Sequence, residues 1–290
     1  MKYLYLNLKR FDVRADLGGV NRLTEMENWA GAIVRETAAG LKAYDPETVR
    51  FAAYFPELHL LEAARAKHET GSPLAIGCQG VYREDVAPGG NFGAFTTNRP
   101  AAAMRGCGCE STIIGHCEER KDKLGLLMLS GMEPENAGHI VNTVLHQEVR
   151  AALNRGLRVL YCIGEKSEEQ DRWQEVLGDQ LRTGLGGLTE EEKANVVIAY
   201  EPVWSIGPGK TPADAPYITK IARFVKAETG GMPVVYGGGL KTDNARMLAG
   251  IPEIDGGLIA LTRFTGEIGF YPEEYLEIVR LYLEGVSADD

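Results

Sequence analysis

Four side chains with complementary chemistry stand at the ends of short apolar runs: Asn7, Lys9, His116 and Glu201. A carboxylate can take a proton, an imidazole can donate to an oxygen that becomes negative, and an ammonium can neutralise an anion. Together these groups could abstract a proton next to a carbonyl in a phosphorylated substrate. Each residue alone is more often a solvated lysine or a packed histidine, so the interpretation depends on their occurring together.

The segment from Val196 to Lys210 carries the proposed base. A continuous apolar run ends at Tyr200, Glu201 and Pro202 follow at once, and Gly207 and Gly209 lie a few residues further on. A carboxylate at a strand end, followed by a loop with one stiff and one flexible end, is typical of a catalytic base under a moving lid. Taken alone, the segment fits equally well a strand that ends in a solvated Glu before an ordinary loop.

Apolar runs that could position these groups alternate with helical patterns along the whole chain. Most runs are continuous in Val, Ile, Leu and Ala, which is typical of strands covered on both faces in a parallel sheet. The predicted strands are Tyr3–Leu8, Val49–Phe55, Leu74–Gln79, Ser111–His116, Arg158–Glu165, Val196–Pro202, Pro233–Gly238 and Gly257–Leu261. The predicted helices are Asn21–Tyr44, Leu60–His68, Pro100–Arg105, Pro134–Asn154, Ser167–Leu185, Ala213–Thr229, Thr242–Ala249 and Pro272–Leu283.

The alternation predicts an α/β fold, a single-domain (β/α)8 barrel over residues 1–290 with an acidic tail at 284–290. A doubly wound open sheet is the main alternative, but it would carry a glycine-rich turn after the first strand, where this chain has Lys9-Arg10-Phe11-Asp12. Function in such a barrel sits at the carboxyl ends of the strands. The first strand would therefore deliver Asn7 and Lys9, the fourth His116 and the sixth Glu201.

Composition narrows the classes of partner. The formal net charge is -10 and the sequence pI is about 5.2, which argues against binding to nucleic acid or to an anionic membrane surface. The apolar start Met1–Leu8 is too short for a signal peptide, and we expect a cytoplasmic protein. Five cysteines, an odd number, indicate reduced thiols, and the Cys107-Gly108-Cys109 spacing does not suit zinc, so we predict no metal site.

Several motifs in the same order give the chain a plain resemblance to the triosephosphate isomerase family over nearly its full length. The matching segments are Asn7-Leu8-Lys9, Gly77-Cys78-Gln79, Gly93-Ala94-Phe95-Thr96, Ile114-Gly115-His116-Cys117-Glu118, Cys162-Ile163-Gly164-Glu165, Ala199–Lys210 and Tyr236-Gly237-Gly238. The resemblance implies that Glu201 is the catalytic base, that His116 is a neutral electrophile and that Glu118 supports it. It also implies that Lys9 neutralises developing charge and that Asn7 orients the substrate oxygens.

The resemblance further implies interconversion of dihydroxyacetone phosphate and glyceraldehyde 3-phosphate, without a metal or an organic cofactor. Amides of Gly207 at the lid tip and of Gly239 would hold the phosphate. The third βα loop would reach a second subunit, so Phe95 and Thr96 predict a homodimer. One alternative is an isomerase for a four-carbon ketose phosphate of the erythrulose phosphate type, and another is a non-catalytic relative that binds an anion or a partner.

The departures from the family pattern lie mainly in the loops that would bind the phosphate. Ala260 and Leu261 occupy positions where the family has two glycines, and Gly239 stands where the family usually has Ser. The segment 262–271 is also longer than usual, so Thr262 or Arg263 could be a new anchor for the phosphate.

A second departure follows the catalytic histidine. After His116 the chain reads Cys117-Glu118-Glu119-Arg120 in place of the family's Ser-Glu-Arg-Arg. Arg99 in the third loop is a candidate partner for Glu119, which would leave no unpaired charge.

Overall fold

The structure is a computed structural model that describes residues 1–206 and 210–287. Eight strands form a closed parallel barrel whose order follows the chain, and the predicted α/β barrel is confirmed. The strands are β1 (Lys2–Asn7), β2 (Val49–Phe55), β3 (Ala75–Cys78), β4 (Ser111–Ile114), β5 (Arg158–Ile163), β6 (Val196–Tyr200), β7 (Val234–Tyr236) and β8 (Gly256–Ile259). Several strands end before the predicted boundary, because the residues beyond these ends belong to the candidate site.

Ten α-helices lie within the described part of the chain. They are α1 (Trp29–Leu41), α2 (Leu60–Thr70), α3 (Ala101–Gly106), α4 (Cys117–Leu129), α5 (Pro134–Leu153), α6 (Trp173–Leu185), α7 (Glu190–Lys193), α8 (Ala215–Thr229), α9 (Ala245–Ala249) and α10 (Pro272–Ser287). Helix α4 was not predicted, because it buries none of its residues and therefore shows no apolar stripe. Among the described residues, no helix is both long enough and apolar enough to cross a membrane.

The chain divides into two compact units. The first contains Met1–Gln79, Cys107–Ser111 and the chain from Val235 onward. Within it, β1 lies between β2 and β8, so that Leu6 is paired with both Ala53 and Ile259. The indole of Trp29 is buried beside Phe55, and burial of a side chain of this size contributes strongly to the core.

The second unit contains Gly80–Gly106 and Thr112–Val234. Here β5 and β6 run in register up to the pair Ile163 and Tyr200. Just beyond that pair, a Cβ on Gly164 would stand 2.0 Å from the carbonyl oxygen of Glu201, so only glycine fits. The side-chain amide of Gln180 bonds both the N–H and the carbonyl of Gly164, at 2.8 Å each. This contact fixes the backbone from which Glu201 projects.

The described structure does not test the prediction that residues 1–290 form a single domain, and that assignment stays a prediction.

Candidate active site

The second unit brings His116 and Glu201 together. His116 follows β4, Glu201 follows β6, and the distance between His116 Nε2 and Glu201 Oε1 is 3.0 Å. The other carboxylate oxygen, Oε2, accepts a hydrogen bond of 2.9 Å from the backbone N–H of Cys117. Glu201 is only 2% exposed, so these two donors replace the water that a carboxylate needs. The structure therefore brings these two predicted site residues within hydrogen-bond distance of each other at the ends of these strands.

The start of helix α4 determines the tautomer of His116. The Nδ1 atom of His116 accepts from the backbone N–H of Glu118 at 3.3 Å, so in the neutral ring the proton is on Nε2. That proton is directed at Glu201 Oε1 in this structure. The Glu118 carboxylate also lies 3.5 Å from Nδ1, and the Cys117 Sγ atom lies 3.7 Å from it. A neutral imidazole with Nε2–H can donate to a substrate carbonyl oxygen in the same position.

The turn between β4 and α4 is held by side chains of the helix that follows it. Gly115 has a φ of +78°, and a Cβ there would meet the Cys162 carbonyl oxygen at 2.9 Å. Its N–H donates to Glu119 Oε2 at 2.6 Å, and its carbonyl accepts from Arg120 Nε at 2.8 Å. Arg120 also donates to the Cys162 carbonyl at 2.8 Å. The peptide groups that precede His116 are therefore fixed on both sides.

A partly buried cluster of charges supports this turn. Glu119 pairs with Lys123 at 2.9 Å, and Lys123 also contacts Glu148 at 3.0 Å, so the partner of Glu119 is Lys123 and the suggested pairing with Arg99 was wrong. Burial raises the pKa of Glu148 to about 9, and the negative charge of Glu119 adds to the rise. Burial would also raise the pKa of Glu119, but Lys123, the side chain of Glu148 and the Gly115 amide lower it overall. Burial and the nearby charge of Glu119 therefore favour the neutral form of Glu148.

Glu165 anchors the segment that follows Glu201. Its Oε1 atom accepts hydrogen bonds from Tyr200 Oη at 2.9 Å, Trp204 Nε1 at 2.8 Å and Tyr217 Oη at 3.0 Å. Burial raises the pKa of this fully buried carboxyl, although the donors from Trp204 and Tyr200 oppose the rise. The segment Pro202-Val203-Trp204 is thereby tied to β6 and α8. The lid tip at Gly207 and the adjacent Gly209 lie outside the described residues.

Asn7 and Lys9 both lie in the first unit, at the end of β1. The Asn7 side chain is buried, and its Oδ1 atom accepts from the Lys9 backbone N–H at 3.1 Å. Lys9 has a φ of +41°, a left-handed conformation that costs a non-glycine residue on the order of 1 kcal/mol. Its carbonyl accepts from Gln79 Nε2 at 2.9 Å, so Asn7 and Gln79 hold the strained backbone on both sides. Strain that is maintained in this way is typical of functional positions.

The seventh and eighth loops also lie in the first unit. Gly239 has a φ of +98°, and Ala260 and Leu261 are both partly exposed after β8. Arg263 is bound by the Glu274 carboxylate, at 2.7 Å from Nε.

Two further contacts close the eighth loop on itself. The guanidinium of Arg263 stacks on the Tyr271 ring at 3.7 Å from its centroid. Thr262 Oγ1 accepts from the Tyr271 N–H at 2.9 Å. Both candidate anchors therefore stabilise the loop 262–271 itself.

The third loop belongs to the second unit. Phe95 is partly exposed and packs edge-on against Tyr82 at 5.5 Å between ring centroids, while Thr96 is exposed. Arg155 binds both the Asp85 carboxylate and the Val86 carbonyl, which anchors the loop at its first part. The aromatic residue at the predicted tip is thus held by an intramolecular contact.

Known proteins match this chain over most of its length. The triosephosphate isomerase family model matches residues 25–268. The triosephosphate isomerase of Chloroherpeton thalassium is 34% identical over 219 residues, which cover 72% of this chain and 76% of that protein. The enzyme of the same name from Carboxydothermus hydrogenoformans is 32% identical over 240 residues, which cover 79% and 86%.

A solved structure supports the same fold. The crystal structure of triosephosphate isomerase from Bartonella henselae matches with a TM-score of 0.69 and 22% identity, and the match covers 97% of this chain and 99% of that one. The likeness at this identity concerns the fold, whereas the sequence matches concern the family. The chain belongs to the triosephosphate isomerase family.

Proposed function

We propose that this chain interconverts dihydroxyacetone phosphate and glyceraldehyde 3-phosphate, with Glu201 as the base and His116 as the electrophile. The observation that carries the proposal is the 3.0 Å contact between His116 Nε2 and Glu201 Oε1. It sets the Nε2 atom of His116, whose Nδ1 atom accepts from the Glu118 amide, next to a buried carboxylate. This is the pair that a proton transfer between adjacent carbons requires.

The contacts of Glu201 suggest the order of events. Both carboxylate oxygens are engaged, one by His116 and one by the Cys117 amide. A substrate carbonyl that takes the Nε2–H of His116 displaces Glu201 Oε1 and frees the carboxylate to remove the proton on the adjacent carbon. Because the site of Glu201 is almost closed to solvent, the released carboxylate is a stronger base than it would be in water.

The roles of the remaining candidate residues follow from the family resemblance. Lys9 would neutralise the charge of the enediolate and of the phosphate, and Asn7 would orient the substrate oxygens while it fixes the backbone of Lys9. Amides of Gly207 and Gly239 would bind the phosphate. An enediolate loses phosphate when water reaches it, so closure of a lid over it would suppress that side reaction.

The eighth loop bears on the choice of substrate. A four-carbon ketose phosphate was suggested by the exchange of two glycines for Ala260 and Leu261 and by a new anchor at Arg263 or Thr262. Glu274 and the Tyr271 ring already engage Arg263, and the Tyr271 amide engages the Thr262 hydroxyl. This favours the triose phosphate, whose phosphate would be held by backbone amides.

The test measures kcat/KM in both directions on triose phosphates and on tetrulose phosphates, for the wild type and for Glu201→Gln. We expect the substitution to lower kcat by about 10²–10⁴-fold while KM changes little, because the amide cannot accept the proton. Glu190→Gln on the surface helix α7 is the matched control and should leave kcat unchanged. A Glu201→Gln enzyme with nearly full kcat would contradict the assignment.

Two other outcomes separate the alternatives. Higher efficiency on the tetrulose phosphate would identify the four-carbon substrate. No exchange of substrate protons with deuterated solvent on any short ketose phosphate would favour a non-catalytic relative.

We also propose a homodimer formed through the third βα loop, with Phe95 and Thr96 at the contact. Family membership supports the dimer, and the partly exposed Phe95 supports the place of contact. Sedimentation equilibrium at assay concentration measures the state, and a Phe95→Asp variant should shift it toward the monomer. A fully active wild-type monomer would refute this proposal.

A further inference from the structure

Three side chains at the candidate active site carry the donor atoms of a metal site. His116 offers a ring nitrogen, Cys117 a sulfur and Glu201 a carboxylate oxygen, and these atoms all lie within 4.8 Å of one another. Two of them come from adjacent residues at the start of α4, and the third follows β6. We propose that they form an inhibitory binding site for a thiophilic divalent cation, of which Zn²⁺ is the best match.

The donor set decides the class of cation. Nitrogen, sulfur and a single carboxylate suit Zn²⁺, whereas Mg²⁺ and Ca²⁺ need several oxygen ligands. Zinc bonds to these atoms are about 2.0–2.3 Å long, so tetrahedral ligand atoms are separated by about 3.3–3.8 Å. The closest pair, His116 Nε2 and Glu201 Oε1, lies at 3.0 Å and would have to open slightly, while the wider distances would have to contract by about an ångström.

The surroundings of the three groups allow this adjustment. His116 and Cys117 are partly exposed, so both the cation and a water molecule as fourth ligand can reach them. A thiolate and a carboxylate together carry the charge that neutralises a divalent cation.

A cation in this position would block the reaction, and this consequence rests on the proposed function. It would occupy the carboxylate of Glu201 and a ring nitrogen of His116, so that neither group could serve the substrate. Inhibition should be competitive with substrate. Cys117 stands where the family motif has Ser, so the sensitivity is expected of this chain and not of the family pattern.

Binding is measured first, without any substrate. Co²⁺ is titrated into the full-length protein, and the thiolate-to-cobalt charge-transfer absorption is followed before Zn²⁺ is added as competitor. We expect the band in the wild type and in Cys107→Ser, a matched control whose half-buried thiol lies in the first unit. Cys117→Ser should lose the band and weaken Zn²⁺ binding by about tenfold or more, since even loss of an outer-shell partner costs that much.

Isomerase assays with and without Zn²⁺ form the second arm. Inhibition that excess chelator reverses, and that Cys117→Ser and Cys117→Ala both reduce, supports the proposal. A wild type without the charge-transfer band, or a band that depends on Cys107, overturns it. Zinc bound through Cys117 without inhibition refutes the catalytic roles of His116 and Glu201 and leaves the metal site standing. If the protein binds Zn²⁺ through Cys117 but is inactive on all substrates, the metal site is supported and the proposed function is refuted.

Discussion

The buried carboxyl of Glu148 should make the stability of this protein depend on pH in a way that one substitution removes. Its side chain is 4% exposed, and its pKa is raised to about 9 by burial and by the charge of Glu119. In the unfolded chain the same group titrates near 4.5. Between these values the folded state holds one proton more than the unfolded state, so the free energy of unfolding falls as pH rises.

The magnitude follows from the number of protons. One proton difference changes the free energy of unfolding by about 1.4 kcal/mol per pH unit, so the contribution lost between about pH 6 and pH 8 is at most about 3 kcal/mol. The other two groups of the cluster change the free energy of unfolding outside this pH interval. The lowered pKa of Glu119 matters at pH values below the usual pKa of a glutamate, and the raised pKa of Lys123 matters at pH values above the usual pKa of a lysine. Glu148 therefore dominates the response of this cluster near neutrality.

Glu148→Gln removes the titration and keeps the shape. The new amide can still donate to Glu119, and its oxygen can still accept from Lys123. Urea denaturation of both proteins at several pH values, followed by circular dichroism, gives the difference in free energy of unfolding. The free energy of unfolding of the variant, relative to that of the wild type, should increase as pH rises from 6 to 8.

Glu190→Gln is the control, because the Glu190 side chain is 90% exposed and should leave the wild-type pH profile in place. Parallel profiles for the wild type and Glu148→Gln over this interval would refute the reasoning, because Glu148 would then be ionised in both states.

Three other variants test the neighbourhood of the site. Trp204→Phe removes one of the donors to Glu165 and should lower the free energy of unfolding by about 1–3 kcal/mol in urea denaturation. Arg263→Ala should leave the KM for triose phosphate within about twofold in steady-state assays, since its guanidinium is engaged within its own loop, and a large rise in KM would restore it as the phosphate anchor. Ala260→Gly combined with Leu261→Gly should lower that KM by up to about tenfold, because bare backbone approaches an anion more closely, and an unchanged KM would contradict this account.

The strands of the barrel could be predicted because the local sequence pattern indicates which segments are buried. Continuous apolar runs such as Phe51–Phe55 and Val196–Tyr200 mark strands that are covered on both faces. Helix α4 gave no such signal, since Cys117–Leu129 begins with a charged run and buries none of its residues. Its helical state is favoured by the cap at His116 and by acidic side chains in the first turn, which hydrophobic periodicity does not detect.

The residues of the site were predictable in type, but their partners were not. The order of motifs identified His116 and Glu201, because each motif stands directly after a strand-like run. The contact between Glu119 and Lys123 was missed, although the two residues lie one helical turn apart, because α4 itself was missed. Glu165 lies in one of the motifs that resemble the family, but its three donors, Tyr200, Trp204 and Tyr217, could not be predicted from spacing.

The burial of the Glu201 carboxylate explains why several side chains of the second unit bind the turn at Gly115. A carboxylate that is 2% exposed is stable only if both of its oxygens find donors, and here the donors are a ring nitrogen of His116 and the amide of Cys117. Both donors belong to the two residues that follow Gly115, whose own N–H and carbonyl are bound by Glu119 and Arg120. A shift of this turn would therefore break both of these hydrogen bonds to Glu201. The same geometry that places the Glu201 carboxylate next to His116 also brings the Cys117 sulfur within 4.8 Å of both groups, so the proposed reaction and the proposed metal inhibition have one structural cause.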